Sequence, residues 1–184
     1  MKILHILDHS LPLHSGYVFR TLGILGAQRE VGWDTIHLTS PKQTEHTVEE
    51  NRSTALIEEE DGWRFHRTPG LGGFVAKLPG VSDIAGMIAT YRRLKAVICD
   101  EKPDILHAHS PVLNALPALW AGRCFNLPVV YEIRAFWEDA AVDLGTTTVN
   151  SLRYKATRSL ETYAVKHADA VMTICEGLKR DLVA

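Results

Sequence analysis

Long hydrophobic runs are missing from this 184-residue chain. No apolar stretch approaches the ~20 residues that a membrane-spanning helix requires. Cysteine is scarce. Cys99, Cys124 and Cys175 lie far apart, are odd in number and form no C-x-x-C pair, which reads as reduced structural thiols of a cytoplasmic protein. An excess of one charge is also absent. The 20 basic and 22 acidic residues leave a formal net charge of -2, whereas binding nucleic acid needs a basic stripe, so no nucleic-acid partner is expected. Two glycine signatures are lacking as well. There is no G-x-G-x-x-G and no G-x-x-x-x-G-K-[ST], which weakens a dinucleotide-dehydrogenase or P-loop reading. Met1 to Leu7 carry one lysine and run straight into Asp8, His9 and Ser10 with no small-residue cleavage site. They read as a buried first strand and not as a signal peptide.

What the chain does have is an apolar fraction of 46%, enough for one domain with a sizeable core at a length too short for two. Ile3, Leu4, Ile6 and Leu7 form a nearly continuous apolar run, the pattern of a parallel strand covered on both faces. Residues 17–30 place Val18, Leu22, Leu25 and Ala27 near helical spacing, and Gly32 closes that helix. Strand patterns follow at 33–39, around Trp63 to His66, at 104–107, 127–133 and 170–174. Helical patterns fill 82–101, 111–125, 150–167 and the stretch from Glu176. Ser82 or Asp83 is the expected cap of the long helix. The acidic stretch from 41 to 62 reads as a solvated excursion. Residues 69–80, rich in glycine and proline but carrying Leu71, Phe74, Val75 and Leu78, read as a flexible segment. Strands that alternate with helices predict an α/β, Rossmann-like domain: a mostly parallel sheet with helices on both faces. Residues 1–184 are expected to be one lobe. Because the last helix reaches the end of the chain without a cap, a second domain is expected beyond it.

In such sheets ligands sit beyond the carboxyl ends of the strands, so the residues just past each strand are the site candidates. The first strand delivers Asp8, His9 and Ser10, then Ser15 and Gly16 at a helix start, where free N–H groups and the dipole favour an anion. A plain tight turn explains Ser15-Gly16 equally well. The middle strand delivers His107 and His109, which share a face. A metal pair would need a third ligand, and none with sensible spacing is visible. The alternative is one histidine at the cleft with its neighbour packed inside, and His109, expected beyond the strand end, is the cleft candidate. The next strand delivers Glu132 and Arg134, an ion pair or a ligand-binding pair, and then Trp137, a flat face for a sugar ring or a core residue. Glu176 falls at a helix start, where capping alone accounts for a carboxylate.

Several of these segments together resemble family 4 of the retaining GT-B glycosyltransferases. Met1 to Asp8 followed by Ser15-Gly16 resembles the family's first strand and glycine-rich loop. Pro103-Asp104-Ile105-Leu106-His107-Ala108-His109-Ser110-Pro111 resembles its central strand, and the stretch from Ala168 to Lys179 resembles the close of its first lobe. The segment from Glu132 to Asp139, with Leu4 to Ser10, further resembles a bacterial subgroup associated with exosortase and exopolysaccharide loci. The resemblance implies transfer of a sugar from a nucleotide-sugar to an acceptor hydroxyl with retained configuration. It makes this chain the acceptor-side lobe and implies no cofactor and no essential metal. Gly16 would line the donor phosphates, His109 would hydrogen-bond the transferred sugar as the catalytic residue, and Glu132 and Arg134 would shape the acceptor pocket. Ser15, Trp137 and Glu176 complete the expected substrate-binding set. The expected partners are a nucleotide-sugar and a saccharide or lipid-linked saccharide; residues 69–80 are expected either to touch the acceptor lipid or the membrane surface or to fold Phe74 and Leu78 back onto the helix after Ser82. A nucleotide-sugar 2-epimerase lobe and a non-catalytic sugar-phosphate-binding module are the alternatives.

Overall fold

A computed structural model describes residues 1–44, 55–73, 76, 78, 80–136, 148 and 151–183. In chain order the elements are β1 (Lys2–Leu7), α1 (Gly16–Glu30), β2 (Asp34–Thr39), β3 (Ile57–Glu60), β4 (Trp63–Arg67), α2 (Val81–Glu101), β5 (Ile105–His109), α3 (Val112–Phe125), β6 (Val129–Ile133), α4 (Leu152–His167), β7 (Ala170–Thr173) and α5 (Glu176–Val183). The sheet order is β3-β4-β2-β1-β5-β6-β7. Every pairing is parallel except β3 with β4. From β1 the sheet grows outward through β2 on one side and through β5 on the other, so the topological switch lies between β1 and β5, where open α/β sheets leave a crevice.

The strand period of two sorts the side chains onto two faces. Leu4 and Ile6 join Leu38, Leu106 and Ala108 in one buried cluster that includes Leu94 and Val97 of α2 and Leu116 and Ala118 of α3. On the other face Leu7 and Phe65 pack with Leu11 and with Val18 of α1. α3 approaches β6 closely at Gly122, where a Cβ would lie 2.5 Å from Val129 Cγ2 and 2.9 Å from the Leu127 carbonyl.

Two expectations about local structure need correction. Part of the acidic stretch is ordered sheet, because Ile57–Glu60 forms an antiparallel edge strand against β4. Asp61 and Gly62, with φ of 50° and 76°, make the turn, and Asp-Gly is the dipeptide that a two-residue hairpin favours. Glu58 is held by Arg67 at 2.8 Å, and glutamates suit an edge that must not recruit another strand. Residues 45–54 of that stretch lie outside the described residues. Neither Ser82 nor Asp83 caps α2. Gly80, at φ 79°, is the cap and makes no side-chain bond, and the Ser82 N–H already donates to Leu78 O at 2.9 Å. The positive φ turns the chain into the helix ahead of both expected caps, leaving Asp83 in the first turn.

Candidate functional site

The carboxyl ends of β1, β5, β6 and β7 open on one edge, as parallel strands of one sheet must. At that edge Ser15 caps α1, accepting from Val18 N at 3.2 Å. A side chain added at Gly16 would meet no atom within 4 Å, so the helix start is open on that side. His9 Nε2 lies 3.0 Å from Ser15 Oγ and His9 Nδ1 3.4 Å from Asp8 Oδ2. The His9 ring stacks on Tyr17, centroids 4.6 Å apart. Lys42 Nζ lies 3.3 Å from Asp8 Oδ1. Burial alone would raise the Asp8 carboxyl, but the hydrogen bond from His9 and the charge of Lys42 outweigh it and hold the group below its usual value.

Beneath α1 the same sheet face carries a buried polar cluster. β1 and β5 place His5 opposite His107, and β5 and β6 place His109 opposite Glu132. The His107 and His109 rings stack with centroids 4.3 Å apart, because residues two apart on a strand point the same way. Glu132 is 1% exposed. It meets Arg20 Nε at 2.9 Å, His109 Nδ1 at 2.8 Å and Arg134 Nη2 at 3.2 Å. Arg134 in turn donates from Nη1 to the Tyr17 carbonyl and the Thr21 hydroxyl, both at 2.9 Å, and its guanidinium lies 4.2 Å from the Tyr17 ring centroid. The cluster therefore fastens the first turns of α1 to the ends of β5 and β6. Burial pushes the Glu132 carboxyl up, yet the hydrogen bond from His109 and the Arg134 charge dominate and keep it well below the carboxylate range. Burial, with like-charged neighbours, lowers His5, His107 and His109, so all three imidazoles are neutral at neutral pH.

His109 departs from its expected place. It is the last residue of β5, not beyond it, and it is fully buried. Its Nε2 lies 2.9 Å from His5 Nδ1, and its Nδ1 lies 2.8 Å from Glu132 and 2.6 Å from Arg134. Both ring nitrogens are thus taken by this chain's own atoms, whichever tautomer is present, and none faces the cleft. The fold also brings a third histidine to the His107–His109 pair. Ligand atoms of His5, His107 and His109 lie within 4.8 Å of one another, although the sequence spacing showed no such partner. His5 and His109 spend their facing nitrogens on each other, and His5 Nε2 lies 2.8 Å from Gln28 Oε1. A cation bound there would have to displace the proton they share.

The remaining expected residues are scattered. Glu132 and Arg134 come together as an ion pair, facing away from Tyr131 and Ile133, as their alternation predicts. Glu176 starts α5 and is largely exposed, 3.6 Å from Lys179. Trp137 lies outside the described residues, as do Phe74 and Val75 of the 69–80 segment. The three cysteines are free and exposed. Among the described helices none is long and apolar enough to cross a membrane.

One cavity at this edge was not foreseen. It measures about 120 Å³ and is bordered by Asp8 and Lys42, by Asp83 of α2, by Asn114 of α3, and by the apolar Met87 and Leu113. Asp8 was legible as a strand-end residue. Lys42 was hidden in a stretch read as solvated excursion. Nothing in the sequence marks Asn114, whose side-chain amide donates to the His109 carbonyl at 2.9 Å.

Residues 15–184 match the family model described as a glycosyl transferase 4-like domain. No curated protein matches the chain in sequence. In fold it is similar to a sucrose-phosphate synthase from Thermosynechococcus elongatus, with a TM-score of 0.66 and 14% identity over 99% of this chain and 44% of that one. It is also similar to the UDP-GlcNAc 2-epimerase of Methanocaldococcus jannaschii, with a TM-score of 0.53 and 16% identity over 100% of this chain and 42% of the other. The chain thus spans less than half the length of either protein, and at these identities the likeness establishes the fold alone.

Proposed function

Since the chain belongs to the glycosyl transferase 4-like family, we propose that it is the acceptor-side lobe of a retaining glycosyltransferase of exopolysaccharide or glycoconjugate synthesis. The reaction moves a sugar from a nucleotide-sugar to an acceptor hydroxyl, and a second lobe holds most of the donor. The observation that carries this reading is the position of the cavity. It opens at the carboxyl ends of the strands beside the switch point, bordered by Asp8 after β1 and by Leu113 and Asn114 after β5. In this reading the free N–H groups at Gly16 approach the donor diphosphate, where a helix start stabilises developing negative charge. The acceptor enters beside Asp8. His109, Glu132 and Arg134 act as positioning residues, because Arg134 grips the Tyr17 carbonyl and Thr21 and so sets where Gly16 lies.

The test uses a protein carrying this chain together with its second lobe, supplied with a panel of nucleotide-sugars and saccharide acceptors, with products read by NMR. Retained anomeric configuration is expected, and the 184-residue chain alone should transfer nothing. Inverted product, or transfer by the isolated chain, overturns the assignment. Conversion of the nucleotide-sugar to its 2-epimer without an acceptor assigns the epimerase chemistry instead.

A further inference from the structure

Three histidines meet on the sheet face beneath α1. His107 and His109 lie two apart on β5 and point the same way. The spacing of the sequence gave that pair no third ligand, but strand register supplies one, because His5 of β1 stands opposite His107. One nitrogen from each ring lies within 4.8 Å of the other two, and all three residues are buried.

The hydrogen-bond partners leave these rings short of a positive group between them. A neutral imidazole has one N–H and one bare nitrogen. His5 Nε2 lies 2.8 Å from Gln28 Oε1, and His109 Nδ1 lies 2.8 Å from Glu132 Oε2. Carbonyl and carboxylate oxygens only accept, so each of these outer nitrogens is asked to carry its ring's N–H. Arg134 Nη2 competes for His109 Nδ1 at 2.6 Å, but it has Glu132 Oε2 as a second acceptor at 3.2 Å. With both outer protons in place, His5 Nδ1 and His109 Nε2 face each other 2.9 Å apart as bare nitrogens. A further proton between them would make one ring an imidazolium where neither side chain is exposed, and burial opposes that charge. His107 adds a third unmet demand. Its Nε2 has no hydrogen-bond partner, although only 6% of the side chain is exposed. Glu132 Oε2 is 3.7 Å away from it, too far for a hydrogen bond. A buried polar atom left unpaired is costly and rare.

One metal cation answers all three nitrogens. Neutral imidazole is the form that ligates, and three histidines are an established donor set for zinc. The outer partners also fit. A ligating histidine passes its other N–H to a carboxylate or a carbonyl oxygen, the parts played here by Glu132 and Gln28, and Glu132 offsets some of the ion's charge. Ligands at about 2.0–2.1 Å from a tetrahedral zinc lie roughly 3.3 Å from one another. The pair at 2.9 Å has to open slightly, and the third nitrogen has to close in from within 4.8 Å.

We propose that His5, His107 and His109 form a structural zinc site that ties β1 to β5 under the first turns of α1. The site is sealed from the cleft, so no step of sugar transfer passes through it, and it stands or falls independently of the transferase reading. Because the ligands converge only in the folded chain, zinc binding adds to folding stability.

The test refolds the purified 184-residue chain, free of any histidine tag, with one equivalent of zinc or with chelator, and then desalts it. Mass spectrometry of the metal content should find one zinc per chain. With free zinc at about 100 times its Kd, Tm should rise by about 5–10 °C over the metal-free form. His107→Leu removes a ligand that has no other bond at Nε2, so the metal-free variant should melt no lower than metal-free wild type, and it should retain no zinc. X-ray absorption at the zinc edge needs no variant. It should show nitrogen neighbours at about 2.0–2.1 Å and no sulfur at about 2.3 Å. Refolded wild type that holds no zinc, His107→Leu that holds as much as wild type, or a sulfur shell from the exposed Cys99, Cys124 or Cys175 overturns the site.

Discussion

Replacing Glu132 with glutamine keeps the side chain's shape and removes its charge from the middle of the buried cluster. The carboxylate has three partners within 3.2 Å, and it is 1% exposed. Arg20 is 42% exposed, so water screens its share, which is discounted. Arg134 is different, because only 6% of its side chain is exposed. Glu132→Gln leaves its guanidinium buried without a counter-charge. Removing one partner of a buried ion pair costs about 3–5 kcal/mol, mostly through the charge left behind. Glutamine keeps one acceptor oxygen, so the low end, about 3 kcal/mol, applies. At about 2–4 °C per kcal/mol for a domain of this size, Tm falls by about 6–12 °C. Circular dichroism of purified wild type and variant at neutral pH measures it. The double variant Glu132→Gln with Arg134→Met should recover part of the loss, since no charge then remains buried. A fall below about 2 °C, or no recovery in the double variant, would show that the pair is far better solvated than the burial of Glu132 and Arg134 implies.

Acid should unfold this protein at unusually mild pH. Burial lowers His5 and His109, takes His37 from 6.5 to about 4 and His107 to about 3. The unfolded chain therefore binds more protons between these values and 6.5. The stability is fully present above pH 6.5 and is lost as pH falls toward 4 and then 3, at about 1.4 kcal/mol per pH unit for each such histidine. Urea midpoints measured from pH 7.5 to 4.5 should fall steeply below 6.5, and a flat profile would mean that the imidazoles are hydrated in the folded state. Gly122→Ala should destabilise by about 1–3 kcal/mol, the range for overpacking, because its Cβ would meet Val129 Cγ2 at 2.5 Å and the Leu127 carbonyl at 2.9 Å. An unchanged urea midpoint would show that β6 can retreat from α3 at no cost.

The fold was legible because its signals are local. The apolar run at Ile3 to Leu7, the helical stripes and the glycine after α1 each announce an element through spacing alone, and the alternation of strands with helices limits how they assemble. The start of α2 was misread because a positive φ at Gly80 carries no side-chain signature. The hairpin at Ile57 was missed because its glutamates resemble a solvated loop, although the Asp61-Gly62 turn was there to be read.

The sequence by itself determined that His107 and His109 share a face, that Glu132 and Arg134 share one, and that Asp8 and Ser15 fall at a strand end and a helix start. These follow from the two-residue period of a strand and the position of breakers. Only the tertiary structure decided what those residues face. Register between β1, β5 and β6 set His5 against His107 and His109 against Glu132, and α1 then folded over them, closing His109 away from the cleft. The same packing assembled the cavity from Asp8, Lys42, Asp83 and Asn114, drawn from stretches more than 100 residues apart at the extremes. Strand register and helix placement are settled by which apolar faces bury together, a contest among distant segments that no local pattern encodes.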